Sequence, residues 1–207
     1  VGSGRYSDIT VFSFHPVKII TTGEGGMALT NDEALAAKME RLRSHGITRD
    51  AAEMLAAPDG PWFYQQLDLG FNYRMTEMQA ALGMSQLGRL DQFVTARHEL
   101  ARAYDELFAV EGIGEIPWQS PECYSSYHLY VFQLDLAALK TTQKEIFERL
   151  RSHGILVNLH YIPVYKHPYY RERGHAQTSL PAAEHYYTKA ITLPLYPGLL
   201  PAQQQEI

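Results

Sequence analysis

Cysteine is almost missing from this sequence. Cys123 is the single one, so no internal disulfide can form, and a reducing, cytoplasmic setting is the expectation. Long apolar runs are missing as well. None approaches the roughly 20 residues that a membrane helix needs, so no membrane partner is expected. Neither sign of charge dominates. The 18 basic and 23 acidic side chains leave a net charge of −5 and are interspersed, which offers no basic face to a nucleic acid. Metal-site spacings are missing despite nine histidines. His153, His160, His167, His175 and His185 are spread through the second half, and none stands in a His-x-x-x-His or Cys-x-x-Cys frame, so no metal is expected. Gly23-Glu24-Gly25-Gly26 matches neither a Gly-x-Gly-x-x-Gly string nor a phosphate-binding P-loop, and reads as a tight turn. The first residues lack the apolar stretch of a signal peptide and contain no methionine. The chain reads as a piece of a longer protein.

What is present is an ordinary globular composition, 45% hydrophobic and 20% charged, in a chain long enough to bury a sizeable core. Asp8 to Phe14 alternates and is rich in β-formers, which predicts a strand. His15-Pro16 breaks it, Lys18 to Thr22 reads as a short β-branched strand, and Met27 to Thr30 as another, together a hairpin. Asn31 or Asp32 caps a helix predicted to run to about His45, with Leu35, Met39 and Leu42 on one face. Residues 47–72 read as a long loop. A helical pattern starts at Thr76, bends near Gly88 and continues to about Val110. Gly112 to Pro121 is the candidate domain boundary. Beyond it come a strand over Tyr127 to Leu136 and a helix opened by a Thr142–Glu145 capping box. A strand over Leu156 to Val164, a helix over Pro181 to Ile191 and a last short strand at Thr192 to Leu195 complete a small α+β domain. Arg-Leu-Arg-Ser-His-Gly-Ile occurs twice, at Arg41 and at Arg149. The flanks differ, so the repeat reads as two helices that end with the same stop chemistry.

Of six lysines, Lys18 has the unusual setting, between Val17 and Ile19-Ile20 and just before the glycines. A neutral amine is what Schiff-base chemistry requires, and lysine among apolar groups is how proteins supply one. By spacing alone, a lysine that snorkels to water is the better reading, since a lone lysine at a strand end more often does that than catalyses. The longer string decides between them. Ser13-Phe14-His15-Pro16-Val17-Lys18 followed by Ile20-Thr21-Thr22-Gly23-Glu24-Gly25-Gly26 resembles the cofactor-lysine segment of the DegT/DnrJ/EryC1/StrS sugar aminotransferases. Leu69-Gly70-Phe71-Asn72-Tyr73-Arg74-Met75-Thr76 with Gln79-Ala80-Ala81-Leu82-Gly83 resembles a second signature of that family. His160-Tyr161-Ile162-Pro163-Val164-Tyr165 resembles a third, and Leu193-Pro194-Leu195-Tyr196-Pro197-Gly198 the C-terminal motif.

The resemblance implies an α/β protein of PLP (pyridoxal 5'-phosphate) fold type I. Residues 1–112 would be the C-terminal part of the cofactor-binding large domain with its linking helix, and residues 113–207 the small C-terminal domain. It implies Lys18 as the catalytic Schiff-base residue, Ser13 as a donor to the cofactor phosphate, and His15 as a residue lining the site. Asn72 would reach the phosphate of a partner subunit, which implies a homodimer with shared active sites. Arg74, His160 and Tyr161 would contact substrate. Histidine replaces the lysine in the family's dehydratase branch, so Lys18 places the chain outside it. Phe-His-Pro-Val-Lys, Arg-Ser-His-Gly-Ile-Thr-Arg-Asp and His-Tyr-Ile-Pro-Val resemble the subgroup of pseudaminic acid synthesis. That subgroup aminates C4 of a UDP-linked 4-keto-6-deoxy-N-acetylhexosamine with glutamate as donor. The family's aspartate for the pyridinium nitrogen and its ring-stacking aromatic precede the lysine segment, so a truncated chain is expected to be inactive alone.

Overall fold

The computed structural model describes residues 2–207. Its contacts divide the chain into two compact units that meet in sequence between Arg89 and Leu90.

In the first unit, Thr10–Ser13 (β1) pairs antiparallel with Gly26–Leu29 (β2), Thr10 opposite Leu29 and Ser13 opposite Gly26. The hairpin expected between Lys18–Thr22 and Met27–Thr30 is therefore not formed: its first strand is absent, and β2 pairs with the preceding strand β1. Pro16 has no N–H for a ladder, and the Lys18 N–H turns back to the His15 carbonyl at 2.9 Å. The Thr22 N–H and the Thr21 hydroxyl both donate to the Phe14 carbonyl, at 3.1 and 2.9 Å. These local bonds satisfy groups that a strand would have offered to a neighbour, so the segment becomes a loop.

Helix Glu33–Arg43 (α1) starts where expected, with the Asp32 carboxylate accepting from the Leu35 N–H at 2.9 Å. After its end, Gly46 lies at φ +69°, and a Cβ there would strike the Asp68 carbonyl. Gly70 comes as close to Gly46 from the other side, so only glycines allow these two segments to touch. The long loop is not wholly irregular. Ile47–Thr48 (β3) pairs with Gln65–Gln66 (β4). Helix Glu77–Leu87 (α2) opens on a capping box between Thr76 and Gln79.

The second unit begins with helix Leu90–Glu111 (α3); where the sequence predicted one helix bent near Gly88, the chain forms two, α2 and α3. Gly114–Glu115 (β5), Tyr130–Leu134 (β6) and, later, Ala190–Leu193 (β7) form an antiparallel sheet in the order β5-β6-β7. Between them lie Leu136–Leu139 (α4), Gln143–Ser152 (α5), the short Pro168–Tyr170 (α6) and Pro181–Lys189 (α7). Pro201–Gln205 (α8) follows the sheet. The capping box at Thr142 and Glu145 is present as predicted, and both copies of the repeated heptapeptide sit at helix ends, on α1 and α5.

The strand expected over Leu156 to Val164 reduces to one bridge, Asn158 to Thr192. The Asn158 side chain accepts from the Leu159 N–H at 2.8 Å, and Pro163 offers no donor, so the ladder cannot extend. The last strand is β7, starting two residues earlier than read from the sequence. The sequence reading carried the long helix with the first domain to residue 112. In the folded chain α3 supplies Leu100, Ala101 and Tyr104 to the core of the second unit, where they pack with Tyr130, Phe132, Ile191, Leu193 and Val157. β6 alternates buried and half-buried residues because one face meets that core.

Several polar groups that enter this core find partners, although the buried Arg97 Nε has no hydrogen-bond partner among the described residues. Arg97 donates through Nη1 to the carbonyls of Tyr127, His128 and Leu195, at 3.0, 3.3 and 2.8 Å. The Tyr104 hydroxyl donates to the Pro194 carbonyl at 3.0 Å and the Tyr130 hydroxyl to Asp105 at 2.7 Å. Burial raises both phenols well above the ordinary tyrosine value, and for Tyr130 the bond to Asp105 raises it further. In the unfolded chain these phenols ionise near about pH 10. The folded state keeps them neutral, so their contribution is whole below that pH and falls as pH rises beyond it. Thermal melting of the chain should therefore shift to lower temperature above about pH 10, and less steeply in Tyr130→Phe. A melting temperature that ignores alkali would contradict this.

Candidate functional site

The lysine loop is a closed local structure. Its mouth is held by the Phe14 N–H, which donates to the Gly25 carbonyl at 2.8 Å. Inside it, the Thr21 hydroxyl accepts from the Gly23 N–H at 2.9 Å, and the Thr22 hydroxyl donates to the Glu24 carbonyl at 2.7 Å. Thr22 is only 3% exposed. Lys18 is half-buried. Among the described residues its amine has no hydrogen-bond or ion-pair partner. Ser13 is exposed at the end of β1, and its hydroxyl accepts weakly from the His15 N–H at 3.4 Å. His15 faces Glu24, with Nε2 at 3.9 Å from Oε1.

A brace outside the loop holds it in place. Gln79 on α2 donates its side-chain amide to the Glu24 carbonyl at 3.0 Å. The same side chain closes the capping box with Thr76, so the helix start and the lysine loop share one residue. A Cβ on Gly83 would lie 2.7 Å from Thr22 Cγ2, so a glycine is what lets α2 lie against the loop. Sequence reasoning took this stretch as a signature without a role for Gln79 or Gly83. The Thr-x-x-Gln spacing was the available signal.

Asn72 and Arg74 belong to the same unit but to another segment. Residues 71–73 run along the end of α1, with the Phe71 N–H on the Leu42 carbonyl at 2.7 Å and the Tyr73 N–H on the Arg43 carbonyl at 3.0 Å. Phe71 and Tyr73 stack at 4.8 Å on either side of Asn72 in sequence. Both Asn72 and Arg74 are exposed. The structure thus places Ser13 at the end of β1 and His15 and Lys18 in the loop that follows, and among the described residues no hydrogen bond or ion pair joins them to Asn72 or Arg74.

His160 and Tyr161 lie in the second unit, after the Asn158 bridge. His160 Nδ1 is 2.8 Å from the Thr192 hydroxyl, and the Tyr186 hydroxyl donates to the His160 carbonyl at 3.1 Å. Burial raises the Tyr186 phenol, which keeps it a donor. The Tyr161 ring is 62% exposed and lies 6.0 Å from the His167 ring. No sequence signal pointed to Thr192 or Tyr186. Among the described residues no group of His, Cys, Asp or Glu is arranged to hold a metal ion, and no helix is long and apolar enough to cross a membrane.

The profile of the DegT/DnrJ/EryC1/StrS aminotransferase family matches residues 2–207. The chain belongs to that family. Among curated relatives, the spore coat polysaccharide biosynthesis protein SpsC of Bacillus subtilis is 37% identical over 199 residues, which are 95% of this chain and 51% of that protein. The UDP-4-amino-4,6-dideoxy-N-acetyl-beta-L-altrosamine transaminase of Campylobacter jejuni is 34% identical, over 93% of this chain and 48% of its own. Among solved structures, Helicobacter pylori PseC, an aminotransferase involved in the biosynthesis of pseudoaminic acid, superposes with a TM-score of 0.85 at 32% identity. The match covers 97% of this chain and 51% of PseC. The sugar aminotransferase Spr1654 of Streptococcus pneumoniae, in its PLP form, gives 0.84 at 30% identity over 99% of this chain and 51% of its own. The chain spans about half the length of the relatives it matches. The fold is therefore that of half a fold type I sugar aminotransferase. The donor set of the lysine loop, a half-buried amine without a partner and an exposed strand-end hydroxyl, fits the PLP that this family uses.

Proposed function

We propose that this chain is the lysine-bearing part of a PLP-dependent aminotransferase that transfers an amino group from glutamate to a nucleotide-linked 4-keto-6-deoxy sugar, with a UDP-linked N-acetylhexosamine as substrate. The observation that carries this is Lys18: a half-buried amine, unpaired among the described residues, in a loop closed on itself and braced by Gln79. When bound, PLP supplies the electron sink for the transfer. Lys18 is its covalent anchor. Once released, the Lys18 amine takes the proton from the α carbon of glutamate, and in the second half of the reaction it delivers a proton to C4 of the sugar. Ser13 donates its hydroxyl to the cofactor phosphate, and His15 lines the site beside it. Asn72, neutral and exposed, donates its amide to the phosphate held by a second subunit, so the working form is a homodimer with shared sites. Arg74 offers a planar fork to an anionic group of the substrate. His160 and Tyr161 contact the sugar, one through a ring nitrogen and one through an aromatic face.

Support for the sugar comes from the altrosamine transaminase, whose name states a UDP-linked 4-amino-4,6-dideoxy-N-acetyl sugar, and from PseC, named for the biosynthesis of pseudoaminic acid. A second reading, the same reaction on a different keto sugar, is favoured by the equal or greater identity to SpsC. The test of the cofactor assignment is trapping. The protein is incubated with PLP, reduced with borohydride, digested and mapped by mass. The expected result is a phosphopyridoxyl group on the peptide that holds Lys18. Label scattered over Lys38, Lys140 and other surface lysines would overturn it.

A further inference from the structure

The interactions around His160 go further than a loop histidine requires. Its main chain is registered two residues earlier by a reciprocal pair, the Asn158 N–H on the Thr192 carbonyl at 3.1 Å and the Thr192 N–H on the Asn158 carbonyl at 2.7 Å. Its own carbonyl accepts from the Tyr186 hydroxyl on α7. Its ring meets the Thr192 hydroxyl on β7 at 2.8 Å. Two elements thus hold His160 at two points and its segment at a third, two residues earlier, the arrangement expected where a side chain must be kept in a single orientation.

The Thr192 hydroxyl also fixes where the ring carries its proton. Thr192 is 6% exposed, and a hydroxyl at such a position needs an acceptor for its hydrogen. Among the described residues, the partner of that hydroxyl is His160 Nδ1. If the hydroxyl donates to Nδ1, that nitrogen bears the lone pair and Nε2 bears the hydrogen.

We propose that Thr192 is a positioning residue for His160, holding the ring as the neutral tautomer protonated on Nε2. A ring held this way offers an uncharged N–H donor at a fixed place. That suits the keto or hydroxyl oxygen of a sugar, and this consequence rests on the sugar-binding role given to His160 above. Thr192 itself touches neither sugar nor cofactor.

The test is nitrogen NMR of the chain labelled with 15N-histidine, with His160→Gln used to assign the ring. The expected wild-type signature is a pyridine-type Nδ1 and a pyrrole-type Nε2. Thr192→Val, which keeps the β-branched shape, should average the two nitrogens, and Thr192→Ser should restore the split. A pyrrole-type Nδ1 in the wild type overturns the proposal, and so does a tautomer that Thr192→Val leaves unmoved. The wild-type spectrum decides even if valine unsettles β7. In a preparation that aminates the keto sugar, loss of one such hydrogen bond should raise KM for the sugar about two- to tenfold, with the loss falling on the sugar and not on glutamate. A tautomer that responds while KM ignores both Thr192→Val and His160→Gln would uphold the positioning by Thr192 and overturn instead the sugar role of His160.

Discussion

Lys18→Ala is expected to remove the borohydride-fixed cofactor and to lower amination of the keto sugar by about 10²- to 10⁴-fold, the range that loss of a positioned acid–base group produces. The reason is the double duty of one amine. In the proposed reaction it anchors the cofactor and then moves the proton, so no neighbouring side chain would compensate. His15 and Glu24 are the titratable groups nearest to it in the loop, and they face each other at 3.9 Å. Lys18→Arg separates charge from proton transfer. Arginine keeps the positive charge but does not release a proton at working pH, so it should be as inactive as alanine. Single-turnover rates with glutamate measure this directly. An arginine variant that retains more than a tenth of the rate would mean that Lys18 contributes charge only.

Phe132→Ala is expected to destabilise the second unit by about 3–5 kcal/mol. Phe132 is 2% exposed, stacks on Phe108 at 4.3 Å, and fills the space beside Gly114, where a Cβ would lie 2.6 Å from its ring. Its removal leaves a cavity walled by a sheet and a long helix, which cannot collapse without unpairing β5 from β6. Urea unfolding of the full chain, read by amide exchange at β6 and β7, should show the midpoint falling by about 1–3 M. Trp118→Ala is the control. Trp118 is 81% exposed, so its loss should change stability by no more than about 0.5 kcal/mol. A Phe132 effect no larger than the control would show that the ring is not packed as described.

Much of the local structure was legible in the sequence because it is decided by neighbours along the chain. Asp32, Thr76 and the pair Thr142–Glu145 announce helix starts, since a cap needs only residues within one turn. The two heptapeptide repeats announce helix ends for the same reason. Family membership was legible too, as four motif strings in order, and with it the position of Lys18 between a strand and a glycine turn. The failures have one cause. Lys18 to Thr22 and Leu156 to Val164 carry β-branched and apolar residues that suit a strand. Whether they form one depends on where their N–H and C=O groups find partners. Thr21, Thr22 and Asn158 satisfied those groups locally instead.

The sequence by itself determined the family and the helix caps, because each is written in residues adjacent to one another. Only the tertiary structure decided which unit owns α3, since that depends on Leu100, Ala101 and Tyr104 meeting β6 and β7 across many intervening residues. Only it revealed Gln79 as the brace of the lysine loop, 55 positions from Glu24, and Thr192 as the partner of His160, 32 positions away. Hydrogen bonds between residues so far apart leave no periodicity in the chain. They exist because folding brings one donor and one acceptor together, and that juxtaposition is a property of the packed molecule.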